Sequence, residues 1–180
     1  MSYCVTTMLS PSARSIVLVS RVSPDRGSIK RITCLPAVSR RLLTGGATEL
    51  PPSIETIADG RPDAGPLGGL VGLLRSRAEA QIVAVACDMP YVTAALLKRL
   101  ALSEANAAVL APWRDNDERY EPLFARYDRA RVLPLAERQL AGGDRSLQKL
   151  LRDAGTQPFA LTDEEWPLIA DWDEPADRIR

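Results

Sequence analysis

Between residues 54 and 161 the apolar positions switch repeatedly between a helical spacing and short unbroken runs. Ile54–Ala58 is a short strand candidate. Pro66–Glu79 places Leu67, Leu70, Val71 and Leu74 on one stripe at helical spacing, with a proline near its entrance. Gln81–Ala86, QIVAVA, is a continuous apolar run of the kind found in strands covered on both faces. The same pattern predicts a helix over Thr93–Glu104, strands over Ala107–Ala111 and Pro122–Tyr127, helices over Ala130–Ala141 and Leu147–Ala154, and a last strand over Gln157–Leu161. This alternation predicts an α/β fold: a mostly parallel sheet, helices on both faces, and a crevice outside the carboxyl ends of the strands.

The first 45 residues read differently. They hold seven basic residues against the single acid Asp25, leaving sixteen basic against twenty-two acidic residues in the rest, and eight of the twelve serines fall there. An Arg- and Ser-rich, acid-poor amino terminus has the composition of an organellar transit peptide. Its strand content argues the other way, because Ser15–Val22 and Ile29–Val38 are β-rich and punctuated by Pro11, Pro24 and Pro36. An altered or misread amino-terminal segment is the third reading.

Composition narrows the chemistry. The 180 residues make one domain, with 23 basic and 23 acidic side chains, so net charge gives no case for nucleic acid or a membrane surface as partner. The chain has no His, which removes every Ser-His-Asp or Cys-His triad and every HExxH zinc site. Cys4, Cys34 and Cys87 are odd in number and lack C-x-x-C spacing, so a reducing cytoplasm is the expected compartment. No apolar stretch approaches the roughly 18 residues needed to span a bilayer.

Three segments could carry chemistry. Asp88, in QIVAVACDMP, follows a buried strand and should stand at the crevice. A carboxylate there either holds a magnesium ion with nucleotide phosphates or caps its own turn, and the strand pattern alone does not choose. Asp59–Leu70, DGRPDAGPLGGL, surrounds a helix start with small or rigid residues, so a ligand could approach the backbone and the free N–H groups; close helix packing would need the same glycines. Glu121–Leu123 (EPL) and Gly142–Leu147 (GGDRSL) offer Glu121 and Arg145 as substrate contacts, with surface capping as the bland alternative. Cys87 reads as a small buried apolar residue, since nothing offers it a base.

Taken in order, D-x(3)-D-A-G-P-L-G-G-L at Asp59–Leu70, C-D-M-P at Cys87–Pro90, E-P-L at Glu121–Leu123, G-x-R-S at Gly143–Ser146 and D-W-D-E-P-A-D at Asp171–Asp177 resemble the molybdenum cofactor guanylyltransferase (MobA) family over residues 43 to 180. The resemblance implies a Rossmann-like fold of the nucleotide-diphospho-sugar transferase type and transfer of GMP from GTP to molybdopterin, with release of pyrophosphate. It implies Asp88 as the catalytic and magnesium-holding residue, with Asp59, Gly65, Pro66, Leu67 and Gly68 around the guanine nucleotide. Its implied partners are GTP and molybdopterin, and transient contact with molybdoenzymes or their chaperones. Asp171 and Asp173 stand where the family usually has Asn. A related CTP-using nucleotidyltransferase, or a non-catalytic nucleotide- or pterin-binding protein, remains the alternative.

The family pattern opens with L-A-G-G-x-S-x-R-M-G-x-D-K, and this chain has no such sequence. Leu43–Gly46, LTGG, lacks the Arg and Lys and fits better as a second strand and its loop. Residues 1–42 are therefore expected to be an atypical segment, through a frameshift or a wrong start, ahead of a nucleotidyltransferase-like domain at 43–180. Read as written, the chain lacks the triphosphate loop and is expected to be weak or inactive.

Overall fold

A computed structural model describes residues 2–9, 14–18, 20–22, 40–44 and 54–57 as strands and residues 59–170 with their side chains, Pro62, Cys87, Asp88 and Pro90 apart. In chain order the elements are β1 (Ser2–Leu9), β2 (Arg14–Leu18), β3 (Ser20–Val22), β4 (Arg40–Thr44), β5 (Ile54–Ile57), α1 (Gly65–Ser76), β6 (Gln81–Val85) and α2 (Ala94–Leu102). There follow β7 (Val109–Ala111), β8 (Trp113–Arg114), β9 (Arg119–Tyr120), β10 (Phe124–Asp128), α3 (Arg129–Ala141), α4 (Leu147–Asp153), β11 (Gln157–Pro158) and a 3₁₀ turn at Trp166–Ile169.

One sheet runs in the order β11-β7-β10-β6-β2-β1-β4-β5, with β3 beside β1. β11 is parallel to β7, β2 to β6 and β4 to β5, while β10 opposes both β6 and β7 and β1 opposes both β2 and β4. Following these directions along the order, every strand except β1 and β10 points the same way. The expected α/β sheet is thus observed, with two reversed strands set into it.

The core divides as the period-two rule requires. Ile82 and Ala84 of β6 pack with Ala125 and Tyr127 of β10 under α1, α3 and α4, whereas Val83, Val85 and Phe124 pack under α2. All of these side chains are buried. Arg126 shares the α2 face, and its guanidinium donates to the carbonyls of Ser103 and Ala105, holding the turn between α2 and β7. Side-chain caps set three helix starts: Thr93 accepts from Leu96 N, Asp128 from Arg131 N and Ser146 from Lys149 N. Each such cap stabilises by about 1 kcal/mol. α1 has no side-chain cap; it starts at Ala64 with Pro66 in its first turn.

Predicted elements and observed ones coincide within a few residues from β5 onward. Ser15–Val22 is found as β2 and β3, and Leu42–Gly46 overlaps β4. The β8–β9 hairpin is missing from the sequence reading, because two-residue strands are too short to carry a period. The expected strand at Ile29–Val38 lies outside the described residues, as do Asp171–Asp177.

Candidate active site

The directions of the strands bring several loops to one edge of the sheet. β5, β6, β7 and β11 end there, and β10, being reversed, begins there. The loop after β5, the segment after β6, the β8–β9 hairpin, the EPL triplet and the segment after β11 therefore share the crevice that an α/β sheet offers to ligands.

The loop after β5 is docked onto α1 through its glycines. Gly60 N donates to Gly68 O at 2.8 Å. A Cβ at Gly68 would lie 2.9 Å from both Ala64 Cβ and Arg61 O, and one at Gly60 would lie 2.8 Å from Val71 Cβ and closer still to Val71 Cγ1. The packing is tight enough to demand glycine at both positions. Asp63 has φ 57° and Gly65 φ 65°, so the chain enters α1 through two left-handed residues, one of them an Asp, which tolerates that region. Of the residues expected around a nucleotide, Asp59, Gly65 and Pro66 are half-buried, while Leu67 and Gly68 are buried. The Leu67 side chain belongs to the core under α1, and the Gly68 carbonyl is taken by Gly60, so these two shape the loop from below.

Asp88 lies outside the described residues, together with Cys87 and Pro90. The strand leading to them is fixed: Ala86 N donates to Leu123 O at 2.7 Å. That bond belongs to a backbone bracket around EPL. Glu121 N donates to Pro112 O at 3.0 Å, Phe124 N to Glu121 O at 3.2 Å, and the Tyr127 hydroxyl to Pro122 O at 2.6 Å. Tyr127 is fully buried, and burial pushes its pKa well above the ordinary value, so it stays a donor. The triplet thereby ties the end of β6 to the end of β7.

Glu121 meets no solvent-facing cap. Its Oε1 accepts from Arg114 Nε at 3.0 Å and from Arg114 Nη2 at 2.7 Å. The same guanidinium lies over the Trp166 ring, 5.1 Å from its centroid. Arg114 and Trp166 line a cavity of about 540 Å³ with Trp113, Asp115, Asn116 and Phe159. Trp113 is held edge-on to Tyr120 at 4.7 Å, and Arg99 stacks 4.4 Å over Phe159 while pairing with Glu165 at 2.6 Å. Aromatic faces combined with carboxylate and amide oxygens suit a planar heterocycle bearing N–H groups. Sequence reasoning missed this cavity; its one signal was the placement of two of the three tryptophans in segments that follow strands.

In the Gly142–Leu147 loop, Asp144 Oδ1 accepts from Ser146 N at 2.9 Å and Gln139 Nε2 donates to Ser146 O at 2.7 Å. Arg145 is exposed and has no protein partner among the described residues. Arg61 Nη1 donates to Leu140 O at 2.9 Å, so the end of α3 sits beside the loop after β5. Among the described residues no group of three or more Cys, Asp or Glu side chains forms a metal cage. Magnesium held between one carboxylate and substrate phosphates needs no such cage.

Residues 28–158 match the model of the MobA-like NTP transferase domain. A probable molybdenum cofactor guanylyltransferase from Opitutus terrae is 34% identical over 137 residues, covering 71% of this chain and 65% of that protein. A molybdenum cofactor guanylyltransferase from Pseudomonas putida is 33% identical over 118 residues, covering 63% of this chain and 59% of its own length. The chain thus matches less than two thirds of these relatives. Among solved structures, molybdopterin-guanine dinucleotide biosynthesis protein A from Archaeoglobus fulgidus superposes with a TM-score of 0.59 at 25% identity, over 69% of this chain and 64% of that one. The 2-C-methyl-D-erythritol 4-phosphate cytidylyltransferase of Thermus thermophilus, at TM-score 0.56 and 11% identity over 78% and 79%, shares the fold.

Proposed function

Because the chain belongs to the MobA-like NTP transferase family, we propose that it is a molybdenum cofactor guanylyltransferase, moving GMP from GTP onto the terminal phosphate of molybdopterin. The observation that carries this reading is the family match across most of the strands and loops that meet at one sheet edge. The guanine nucleotide is read by Asp59 and by the backbone at Gly65 and Pro66, with Leu67 and Gly68 packing the loop that presents them. An uncapped start of α1 suits that role, since first-turn N–H groups favour anions and acceptor edges. The acceptor's ring enters the cavity lined by Trp113 and Trp166.

In the reaction an oxygen of the acceptor phosphate attacks the α-phosphorus of GTP, the bond to the β-phosphate oxygen breaks, and pyrophosphate leaves with that electron pair. Asp88 would hold magnesium, which when bound neutralises phosphate charge. The protein's own share is positioning: the glycine-docked loop fixes the nucleotide, and the EPL bracket fixes the end of β6 against β7. The extent of the domain is read from the family match at residues 28–158, which takes in the last part of the expected atypical segment 1–42. We place the reaction in the cytoplasm, in keeping with the three unpatterned cysteines and with the observation that no helix among the described residues is long and apolar enough to cross a membrane.

Calorimetry with GTP, with and without magnesium, on the protein and on Asp88→Ala tests the donor site. Magnesium-dependent binding that the variant loses, followed by pyrophosphate release only when molybdopterin is added, is the expected result. Binding of CTP in place of GTP, or nucleotide binding without any pyrophosphate release, would overturn it.

A further inference from the structure

The EPL triplet does more than join two strand ends, because its Glu side chain decides how Arg114 stands in the cavity. A guanidinium has five N–H donors in a rigid plane. Glu121 Oε1 takes the Nε–H and one N–H of Nη2, the edge nearest the side-chain stem. Trp166 supports one face of the plane. Asp117 is the second acid within 4.0 Å of the guanidinium among the described residues, its Oδ2 3.9 Å from Nε, while Asp115 and Asp163 line the same cavity. The outer edge, formed by Nη1 and the second N–H of Nη2, has no protein acceptor among the described residues. Two parallel N–H groups on a fixed edge match the oxygens of a phosphate.

Both ends of this arrangement are anchored. Glu121 is held by its backbone bonds to Pro112 and Phe124, and Trp166 N donates to Thr162 O at 3.2 Å. A guanidinium free to rotate would have to lose side-chain freedom on meeting a ligand; this one has lost it already. We infer that Arg114 binds the phosphate of the acceptor through its outer edge and that Glu121 is the positioning residue that orients it. The inference rests on the proposed guanylyl transfer, in which the acceptor carries a phosphate.

The test uses the full chain and two probes, 6-hydroxymethylpterin and its phosphate ester, titrated by calorimetry. For Arg114→Lys and Glu121→Ala the affinity for the phosphate ester is expected to fall at least tenfold, while affinity for the unphosphorylated pterin changes less than twofold. Glu121→Gln keeps an acceptor oxygen and is expected to stay within about threefold of the parent. GTP affinity should be the same in all four proteins. Equal losses for both probes would mean that the pair merely builds the cavity wall and would overturn the inference, as would unchanged binding in Glu121→Ala. A parent protein that binds neither pterin overturns it too. If the probes behave as expected and yet no GMP is transferred to molybdopterin, the phosphate contact stands and the guanylyltransferase reading falls.

Discussion

Adding one methyl group at Gly60 tests whether the loop after β5 owes its position to contact with α1. In Gly60→Ala the new Cβ would sit 2.8 Å from Val71 Cβ and 3.0 Å from Gly72 N, and closer to Val71 Cγ1. Two of these are not the tips of flexible side chains, so the contact is relieved only by lifting the loop. Overpacking of this kind costs about 1–3 kcal/mol. Lifting the loop also stretches the 2.8 Å bond from Gly60 N to Gly68 O, a further loss of about 1 kcal/mol. The total of about 2–4 kcal/mol corresponds to a fall of roughly 5–15 °C in Tm for a chain of this size.

Gly142→Ala is the control, since a Cβ there meets nothing nearer than 3.5 Å and its φ of −73° suits any residue. Thermal and denaturant unfolding of both variants should show a large loss for the first and a change within about 0.5 kcal/mol for the second. Gly68→Ala lifts the same loop by crowding Ala64 and Arg61. The double variant should therefore lose less than the two single losses combined. Unchanged stability in Gly60→Ala, or strict additivity in the pair, would refute the docking argument.

Tyr127 is buried with its pKa raised by desolvation above the ordinary 10.0. Its stabilising contribution is therefore complete below pH 10 and is lost as rising pH ionises the tyrosine of the unfolded chain. The stability difference between the parent and Tyr127→Phe should shrink or reverse between pH 9 and pH 11, at up to about 1.4 kcal/mol per pH unit; parallel curves from denaturant titrations would contradict this. At neutral pH the same variant leaves Pro122 O without its 2.6 Å donor and should lose about 1 kcal/mol. Asp128 caps α3 and accepts from Gln81 Nε2 at 3.0 Å, so Asp128→Ala should lose about 1–2 kcal/mol, read as a drop in denaturation midpoint with an unchanged slope.

The helices and strands from β5 onward were legible because burial imposes a period. Leu67, Leu70, Val71 and Leu74 face the core at helical spacing, and Ile82–Ala86 is apolar throughout because Ile82 and Ala84 meet one helix layer while Val83 and Val85 meet the other. The glycines of DGRPDAGPLGGL were legible as a feature but not in purpose. A loop that admits a ligand and a loop that packs on a helix ask for the same residue, and only the contact distances at Gly60 and Gly68 separate the two. The aromatic cavity was hidden for another reason. Arg114 and Glu121 face each other only because the hairpin between them turns through Glu118 with φ 49°, and Trp166 joins them from a segment beyond β11. No periodicity records a pairing made by a tight turn and a distant chain segment.

The two reversed strands differ in what they do for the site. β10 lies between β6 and β7, so its reversal brings the start of a strand, rather than its end, into the crevice. The residues preceding it can then use their own N–H and C=O groups to bridge outward to both neighbours, which a strand running with the others could not do from that position. Glu121 and Leu123 do this with Pro112 and Ala86 as partners, while the Pro122 carbonyl accepts from the Tyr127 hydroxyl of β10 itself. Proline suits the middle position because it brings no N–H that would need a partner. With the triplet's backbone committed to the bracket, only the Glu121 side chain remains free to act on the cavity, and it is spent on Arg114. In the proposed acceptor site the motif singled out as a substrate contact works one step behind the substrate, through Arg114, and its backbone bonds join it to the reversed strand that follows it.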